Sequence, residues 1–285
     1  MIPQNFEYFV PGTLHDALGM LADGSAKPLA GGMSLIPLMK LRLASPERLV
    51  DLGRLADLNY IRENGGVLEI GATTTHYQVE SSALIREKCP LLAETASNIG
   101  DVQVRNMGTI GGSTAHADPA ADYPAALLAL EAQIRVMGAK SERTIGIEDF
   151  FVDTFTTALE PGEIICAVTV PVEAAGTGVA YEKLLQPASG FAIVGIAARV
   201  RKSRGAVSFA RVGVTGLSNK AFRAENVEAA LTGTGGSESD IRAASALLGE
   251  VAEANSDLHA SAAYRKHMAT VYCARALRNA LLRTA

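Results

Sequence analysis

Two short stretches carry residues whose types and spacing suit them to hold an anion. Residues 29–37 read LAGGMSLIP, and residues 109–125 read TIGGSTAHADPAADYPA. Each sets a glycine pair just ahead of a serine, Gly31 and Gly32 before Ser34, and Gly111 and Gly112 before Ser113. Glycine lets a chain turn through positive φ and lets another group come close. Successive backbone N–H groups in such a turn form a nest for an anion. The start of a following helix adds free N–H groups and partial positive charge, and the two serine hydroxyls add donors. No Lys or Arg stands between Arg105 and Arg135, so a phosphate here is held by backbone dipoles and hydroxyls, without a cation. Neither stretch has the GxGxxG or GxxxxGK(S/T) spacing of the familiar nucleotide loops, and either one alone reads as a tight turn. Together, each expected to follow a strand, they point to two loops converging on one diphosphate. A branched side chain at Gly111 is expected to intrude on that nest.

Other reactive residues are sparse. His116 is open to two readings, a cofactor contact or an ordinary loop histidine. No second His or carboxylate lies at metal-ligand spacing from it, so it is given no metal role. His76, in TTTHYQVE, falls at an expected helix start and reads as surface or packing. Asp118 reads as a helix cap, and Lys183 stands among apolar neighbours in YEKL, which favours a functional role. Tyr181 and Phe191 bracket a region able to pack on a cofactor ring, although most apolar aromatics are simply core. No Ser–His–Asp or Cys–His constellation emerges, and no general base. That pattern suits a protein that orients a cofactor while the cofactor carries the chemistry.

The elements that must position these residues alternate along the first 170 positions as short strands and helices. TLHDALGML (13–21) has Leu14, Leu18 and Leu21 at helical spacing behind Thr13 as a cap. KPLAGG reads as a strand ending in a turn, SLIPLMKLRL as a helix starting at Ser34, and RLVDL and VLEIGA as strands. PLLAETASNIG is helical and GTIGGS is again strand-to-turn. Asp118 is expected to cap a helix with Pro119 at its first position. The stretch PVEAAGTG (171–178) reads as a boundary. It divides the chain into 1–175, with subdomains of about 1–55 and 56–175, and a C-terminal domain of 176–285. Three strands are expected there, then helices at 223–231, 239–255 and 262–283, the last with Tyr264, Met268, Val271 and Leu282 toward the core. Strands followed by helices give an α+β class.

Composition narrows the field. The 285 residues are 48% hydrophobic and 20% charged, with 26 Lys and Arg against 30 Asp and Glu, for a net charge of −4. Lys40, Arg42, Arg48 and Arg54 are interspersed with Glu47 and Asp51, so there is no basic face for nucleic acid. Cys89, Cys166 and Cys273 stand far apart with no CxxC, which argues against a zinc or iron–sulfur centre built by this chain. A low, odd cysteine count fits a reducing compartment. With no signal-type start and no membrane span in the sequence, the expected location is cytoplasmic.

The segments KPLAGGMSLIPLMKLRLASPERLVDL and RNMGTIGGSTAHADPAADYPAALLAL closely resemble the signature segments of the FAD-binding medium subunit of molybdenum hydroxylases. This is the flavoprotein family of aerobic carbon monoxide dehydrogenase and of bacterial xanthine- and nicotine-type dehydrogenases. The resemblance extends from FEYFVPGTLHDAL through AYEKLLQPASGFAIVGIAARV to the closing helices. It implies an α+β chain with a vanillyl-alcohol-oxidase-type (PCMH-type) FAD-binding fold of two α/β subdomains, and a C-terminal domain with a short antiparallel sheet and helices.

By motif, the resemblance implies that Ala30, Gly31, Gly32, Met33 and Ser34 line one side of the FAD diphosphate, and Thr109, Ile110, Gly111, Gly112 and Ser113 the other. His116 is a further candidate for contact with the bound FAD. Asp122 matches an acidic residue near the cofactor's sugar or phosphates, and Lys183 a lysine close to FAD. Met33 stands where a polar residue is common. Phe191 stands where carbon monoxide dehydrogenases have a tyrosine packed on the isoalloxazine, so QPASGF resembles more the subunits that serve organic substrates.

The implied function is that of an electron-transfer subunit with non-covalent FAD, in a heterotrimer that is itself doubled. A large partner subunit would carry the molybdenum–pterin centre where substrate is hydroxylated, and a small one two 2Fe–2S clusters that feed the FAD. An external acceptor takes the electrons. Two alternatives use the same residues: a self-contained FAD oxidase or dehydrogenase, for which no acid/base group can be named, and a cofactor-free interaction protein, against which the intact glycine pairs stand.

Overall fold

The computed structural model describes residues 2–250 and 253–284. The chain opens with β1 (Glu7–Phe9), α1 (Leu14–Leu21), β2 (Ala26–Leu29), α2 (Leu35–Lys40) and β3 (Arg48–Asp51). These strands form a parallel sheet in the order β1-β3-β2. Parallel neighbours need a crossover, and α1 and α2 supply them. Thr13 caps α1 by accepting from the Asp16 N–H at 3.1 Å. Ala17, Leu18 and Leu21 turn inward against Val50, Leu52 and Leu55.

Next come β4 (Ile61–Asn64), β5 (Val67–Gly71) and a run of six helices: α3 (His76–Ser81), α4 (Ala83–Lys88), α5 (Pro90–Ser97), α6 (Val102–Met107), α7 (Ile110–His116) and α8 (Asp122–Ala129). They are followed by β6 (Gln133–Met137), β7 (Glu142–Gly146), α9 (Ile147–Phe150), the small hairpin β8 (Phe151–Asp153) and β9 (Thr156–Thr157), and β10 (Ile164–Pro171). The antiparallel sheet runs β4-β5-β10-β6-β7. Its inward residues Leu68, Ile70, Ile134, Val136, Val168 and Val170 share one core with α5 and α8.

Residues 172–176 lead into β11 (Thr177–Leu185), β12 (Ala192–Ser203), β13 (Ala206–Thr215) and β14 (Phe222–Arg223), an antiparallel sheet in sequence order. The closing helices are α10 (Glu225–Leu231), α11 (Glu238–Ala246) and α12 (Ala262–Leu282). The part of the expected 239–255 helix at Val251 and Ala252 lies outside the described residues; α11 ends at Ala246, with a short 3-10 turn over Leu247–Glu250. One face of the sheet, with Val194, Ile196, Ala198, Val212 and Val214, packs on these helices. The other face, with Tyr181 and Ala197, joins the core around α8. All eight residues of α8 are buried, as expected for a helix apolar all round. It lies against β12 and β13 as well as its own domain.

Three expectations are corrected. GTIGGS is not strand-to-turn: Thr109 forms only an isolated bridge with Thr75, and α7 begins at Ile110. Pro119 is not the first helical residue. Asp118 accepts from the Ala120 N–H at 2.8 Å in a local turn, and α8 starts at Asp122. In α12, Tyr264 and Leu282 are exposed and the core stripe is instead Arg265, Ala269, Cys273, Ala276, Leu277 and Ala280. Small residues serve there because the sheet comes so close: a Cβ on Gly178 would lie 1.9 Å from the Ala280 carbonyl oxygen.

Candidate functional site

The first glycine stretch leaves β2, an edge strand, and bends at Gly32, whose φ is +73°. Gly31 has no room for a side chain, since a Cβ would lie 1.9 Å from the Met107 carbonyl oxygen and 2.8 Å from Gly108 Cα. The backbone N–H groups of Ala30, Gly31, Gly32, Met33 and Ser34 find no acceptor among the described residues. The Ser34 side chain makes no capping bond. Gly32 and Ser34 instead offer their carbonyls to Ile36 and Leu38, at 3.0 and 3.2 Å. The stretch is thus a bend of donors with nothing of the protein to bond. Met33 stands exposed beside it.

The second stretch is built differently. Thr109 caps α7, accepting from the Gly112 N–H at 3.1 Å. Ile110 N–H bonds Thr74 O at 3.0 Å and Gly111 N–H bonds Ala72 O at 2.9 Å. The N–H groups of Ile110, Gly111, Gly112 and Ser113 are therefore engaged within the protein, and the nest expected there is not formed. Gly111 faces inward, where a Cβ would sit 2.5 Å from Ala72 Cβ; a larger residue collides with Ala72 and does not intrude on an anion nest. Gly112 is exposed. A Cβ on it would meet Thr109 Oγ1 at 2.8 Å and come within 3.9 Å of Ala30 Cβ. Ala30 and Gly112 thus mark where the two stretches meet, with Ser113 half-buried alongside.

His116 lies four residues beyond Gly112 on α7 and shares its face. Its ring packs on Phe155, centroids 5.0 Å apart. Burial lowers its pKa, with Asp118 pulling the other way.

Asp122 opens α8 and is 4% exposed. It accepts from the Tyr181 hydroxyl at 2.5 Å and from Lys183 Nζ at 2.9 and 3.0 Å. Lys183 also donates to the Asn98 carbonyl at 2.6 Å. Burial pushes the Asp122 carboxyl up to about 6, against the pull of Lys183 and the Tyr181 bond. The structure thus joins Asp122 and Lys183 in a buried tie between α5, α8 and β11. Phe191 ends a tight turn, where Gln186 N–H bonds Phe191 O at 2.8 Å, and its ring is exposed. That turn rests on Gly100, 3.3 Å from a Cβ at Gly190. Ala192 N–H bonds Ala120 O at 3.1 Å, linking the turn to the segment between α7 and α8.

Sequence reasoning missed Ala72, Thr74 and Gly108. The signal available was a third glycine in MGTIGG, which marks a close approach at Gly108. His76 begins a helix as expected but is 4% exposed and packs edge-on to Tyr123 at 5.2 Å. No group of His, Cys, Asp or Glu able to hold a metal occurs among the described residues, and all three cysteines are free and buried. No helix among the described residues is long and apolar enough to cross a membrane.

A bend of unpaired N–H groups opposite an exposed glycine, with hydroxyls nearby, fits a diphosphate-bearing cofactor. Comparison with known proteins names the cofactor. Residues 4–173 match the FAD binding domain in molybdopterin dehydrogenase, and residues 179–280 the CO dehydrogenase flavoprotein C-terminal domain. The chain belongs to this family of FAD-binding oxidoreductase subunits. It is 40% identical to the carbon monoxide dehydrogenase medium chain of Hydrogenophaga pseudoflava, with 100% of both chains covered. It is 37% identical to the alpha subunit of the 6-hydroxypseudooxynicotine dehydrogenase complex of Paenarthrobacter nicotinovorans, covering 99% of this chain and 97% of that one. A solved structure of the H. pseudoflava carbon monoxide dehydrogenase superposes with a TM-score of 0.97 at 43% identity, again covering both chains fully.

Proposed function

We propose that this chain is the FAD-carrying electron-transfer subunit of a heterotrimeric molybdenum hydroxylase, with its FAD diphosphate seated between residues 30–34 and 109–113. The observation that carries the reading is the run of unpaired N–H groups from Ala30 to Ser34 facing Gly112. FAD held here would supply the redox chemistry, linking two 2Fe–2S clusters of a small partner subunit, fed from hydroxylation at a molybdenum–pterin centre on a large one, to an external acceptor.

The chain's own residues bind and orient. The 30–34 bend would donate its N–H groups to the phosphates, with the Ser113 hydroxyl as a further donor, while Thr109 holds the start of α7 by its cap. Gly112 leaves space that a side chain would fill, and His116 borders it one turn on. Asp122 and Lys183 fix the segment between α7 and α8, and Phe191 presents an exposed ring at the end of a braced turn. We draw the domain boundary at 175/176, and place the complex, a dimer of heterotrimers, in the cytoplasm, where free thiols persist.

Gly112→Val tests the seat. A branched side chain there is expected to lower flavin content sharply while the chain stays folded. Full flavin occupancy in that variant contradicts the placement.

A further inference from the structure

Gly108, the residue before the second glycine stretch, lies where the first stretch packs most tightly. A Cβ on Gly31 would lie 2.8 Å from Gly108 Cα, and Thr109, the next residue, caps α7. Gly108 in turn rests on His76. Its carbonyl accepts from the His76 N–H at 2.9 Å, and a Cβ on it would lie 2.5 Å from His76 Nε2. Beside this contact Thr75 bridges Thr109, and the carbonyls of Thr74 and Ala72 accept from Ile110 and Gly111. Residues 72–76 form the bed on which 108–111 lie, and His76 is the one large side chain of that bed. Gly108 itself has φ −62° and ψ 145°, which any residue adopts, so the imidazole, with the Val104 carbonyl at 3.1 Å, is what bars a side chain there.

We propose that His76 is a positioning residue for FAD: by walling Gly108 it fixes the distance between the 30–34 bend and the start of α7. The inference rests on reading that gap as the diphosphate seat. His76 Nδ1 and the Tyr123 hydroxyl are both buried without a partner among the described residues, so neither ring is held by a hydrogen bond from its side chain. The imidazole is held by packing, between Tyr123 of α8 and the α6 end. The charged group beside it is Arg105 of α6, ion-paired at 2.9 Å with Glu80 of α3, while Asp122 at the start of α8 turns to Lys183. Glu94 of α5 is directed to Tyr181 and Arg283. A neutral imidazole beside Arg105 agrees with a packing role.

The test measures FAD affinity of the full chain by quenching of flavin fluorescence at pH 7.5. His76→Ala removes the wall and is expected to weaken FAD about tenfold or more, equivalent to at least one decade in Kd, while His76→Gln, neutral and of similar length, restores most of it. Gly108→Ala is expected to weaken FAD by a similar factor in the native background, because its methyl meets the imidazole. In the His76→Ala background the same methyl keeps the Val104 carbonyl, at 3.1 Å, as its close contact, and the double variant is expected to bind nearly as well as His76→Ala alone. Equal losses from Gly108→Ala in both backgrounds, or unchanged affinity in His76→Ala, overturn the proposal. A native chain that binds no FAD overturns the diphosphate seat instead, a different and separable failure.

Discussion

Lys183 and Asp122 are each almost wholly buried, at 3% and 4% side-chain exposure, and each is the other's only compensating charge at contact distance among the described residues. Removing one partner strands the other in a medium that cannot solvate it. Lys183→Met is therefore expected to cost about 3 kcal/mol or more of folding stability, seen as a lowered denaturant midpoint. Asp122→Leu combined with Lys183→Met should return part of that loss, since no charge is then left alone. A second residue-scale expectation concerns pH. Burial, helped by Arg105, pushes His76 down to about 4, whereas an exposed histidine titrates near 6.5. Below about 6.5 the unfolded chain takes up a proton that the folded chain refuses, so stability falls by about 1.4 kcal/mol per pH unit toward 4. Asp122, pushed up to about 6 by burial, works in the opposite direction over the range below 6. Urea unfolding between pH 7.5 and 5 separates the two, because His76→Gln should lose the falling limb and keep the Asp122 contribution. A pH profile unchanged by His76→Gln contradicts the burial of that ring.

At the scale of elements, α7 shows why part of the site was hidden in the sequence. The motif TIGGS reads in the sequence as an anion nest in a turn, because two adjacent glycines are poor helix formers, yet its N–H groups from Ile110 to Ser113 are used up in building α7. The helix forms because Ala72 and Thr74 accept the N–H groups of Gly111 and Ile110 and Thr109 caps the start, none of which local propensity reveals. The first stretch was legible as a turn because nothing tertiary overrides it. Likewise the strands around YEKL and FAIVGIAARV were plain from their apolar runs, whereas the core stripe of α12 was not. Close packing of Gly178 on Ala280 favours small residues, so Tyr264 and Leu282 lie outside the stripe while Met268 packs at its edge. The two glycines of α7 are expected to fail differently. Gly111→Val strikes Ala72 and should lower the thermal midpoint by several degrees, since about 1 kcal/mol shifts a domain of this size by 2–4 °C. Gly112→Val, whose Cβ presses on the capping Thr109 hydroxyl, should lower the midpoint less than Gly111→Val and reduce flavin content more. Thermal unfolding followed alongside flavin absorbance distinguishes them, and identical behaviour of the two variants contradicts the assignment of inward and outward faces.

At the scale of the whole molecule, the two domains share a core through α8. A Cβ on Gly213 of β13 would lie 1.9 Å from the Ala125 carbonyl oxygen, and Arg199 of β12 donates to the Ala129 carbonyl at 2.8 Å while pairing with Glu173 at 2.7 Å. Those contacts hold the middle and end of α8, while Tyr181 and Lys183 of the same sheet hold its start at Asp122. Gly213→Val is accordingly expected to loosen both domains together. Circular dichroism and intrinsic tyrosine fluorescence should report one coincident, lowered transition; a C-terminal transition that shifts alone would show the domains to be independent. No group of His, Cys, Asp or Glu able to hold a metal occurs among the described residues, and in the proposed complex molybdenum and iron are assigned to partner subunits. The most direct test of the central claim is a visible absorption spectrum with metal analysis on the chain purified natively with its partners. Stoichiometric flavin together with iron–sulfur absorbance and molybdenum is the expected result. A chain that carries no flavin and takes up none when FAD is added contradicts it.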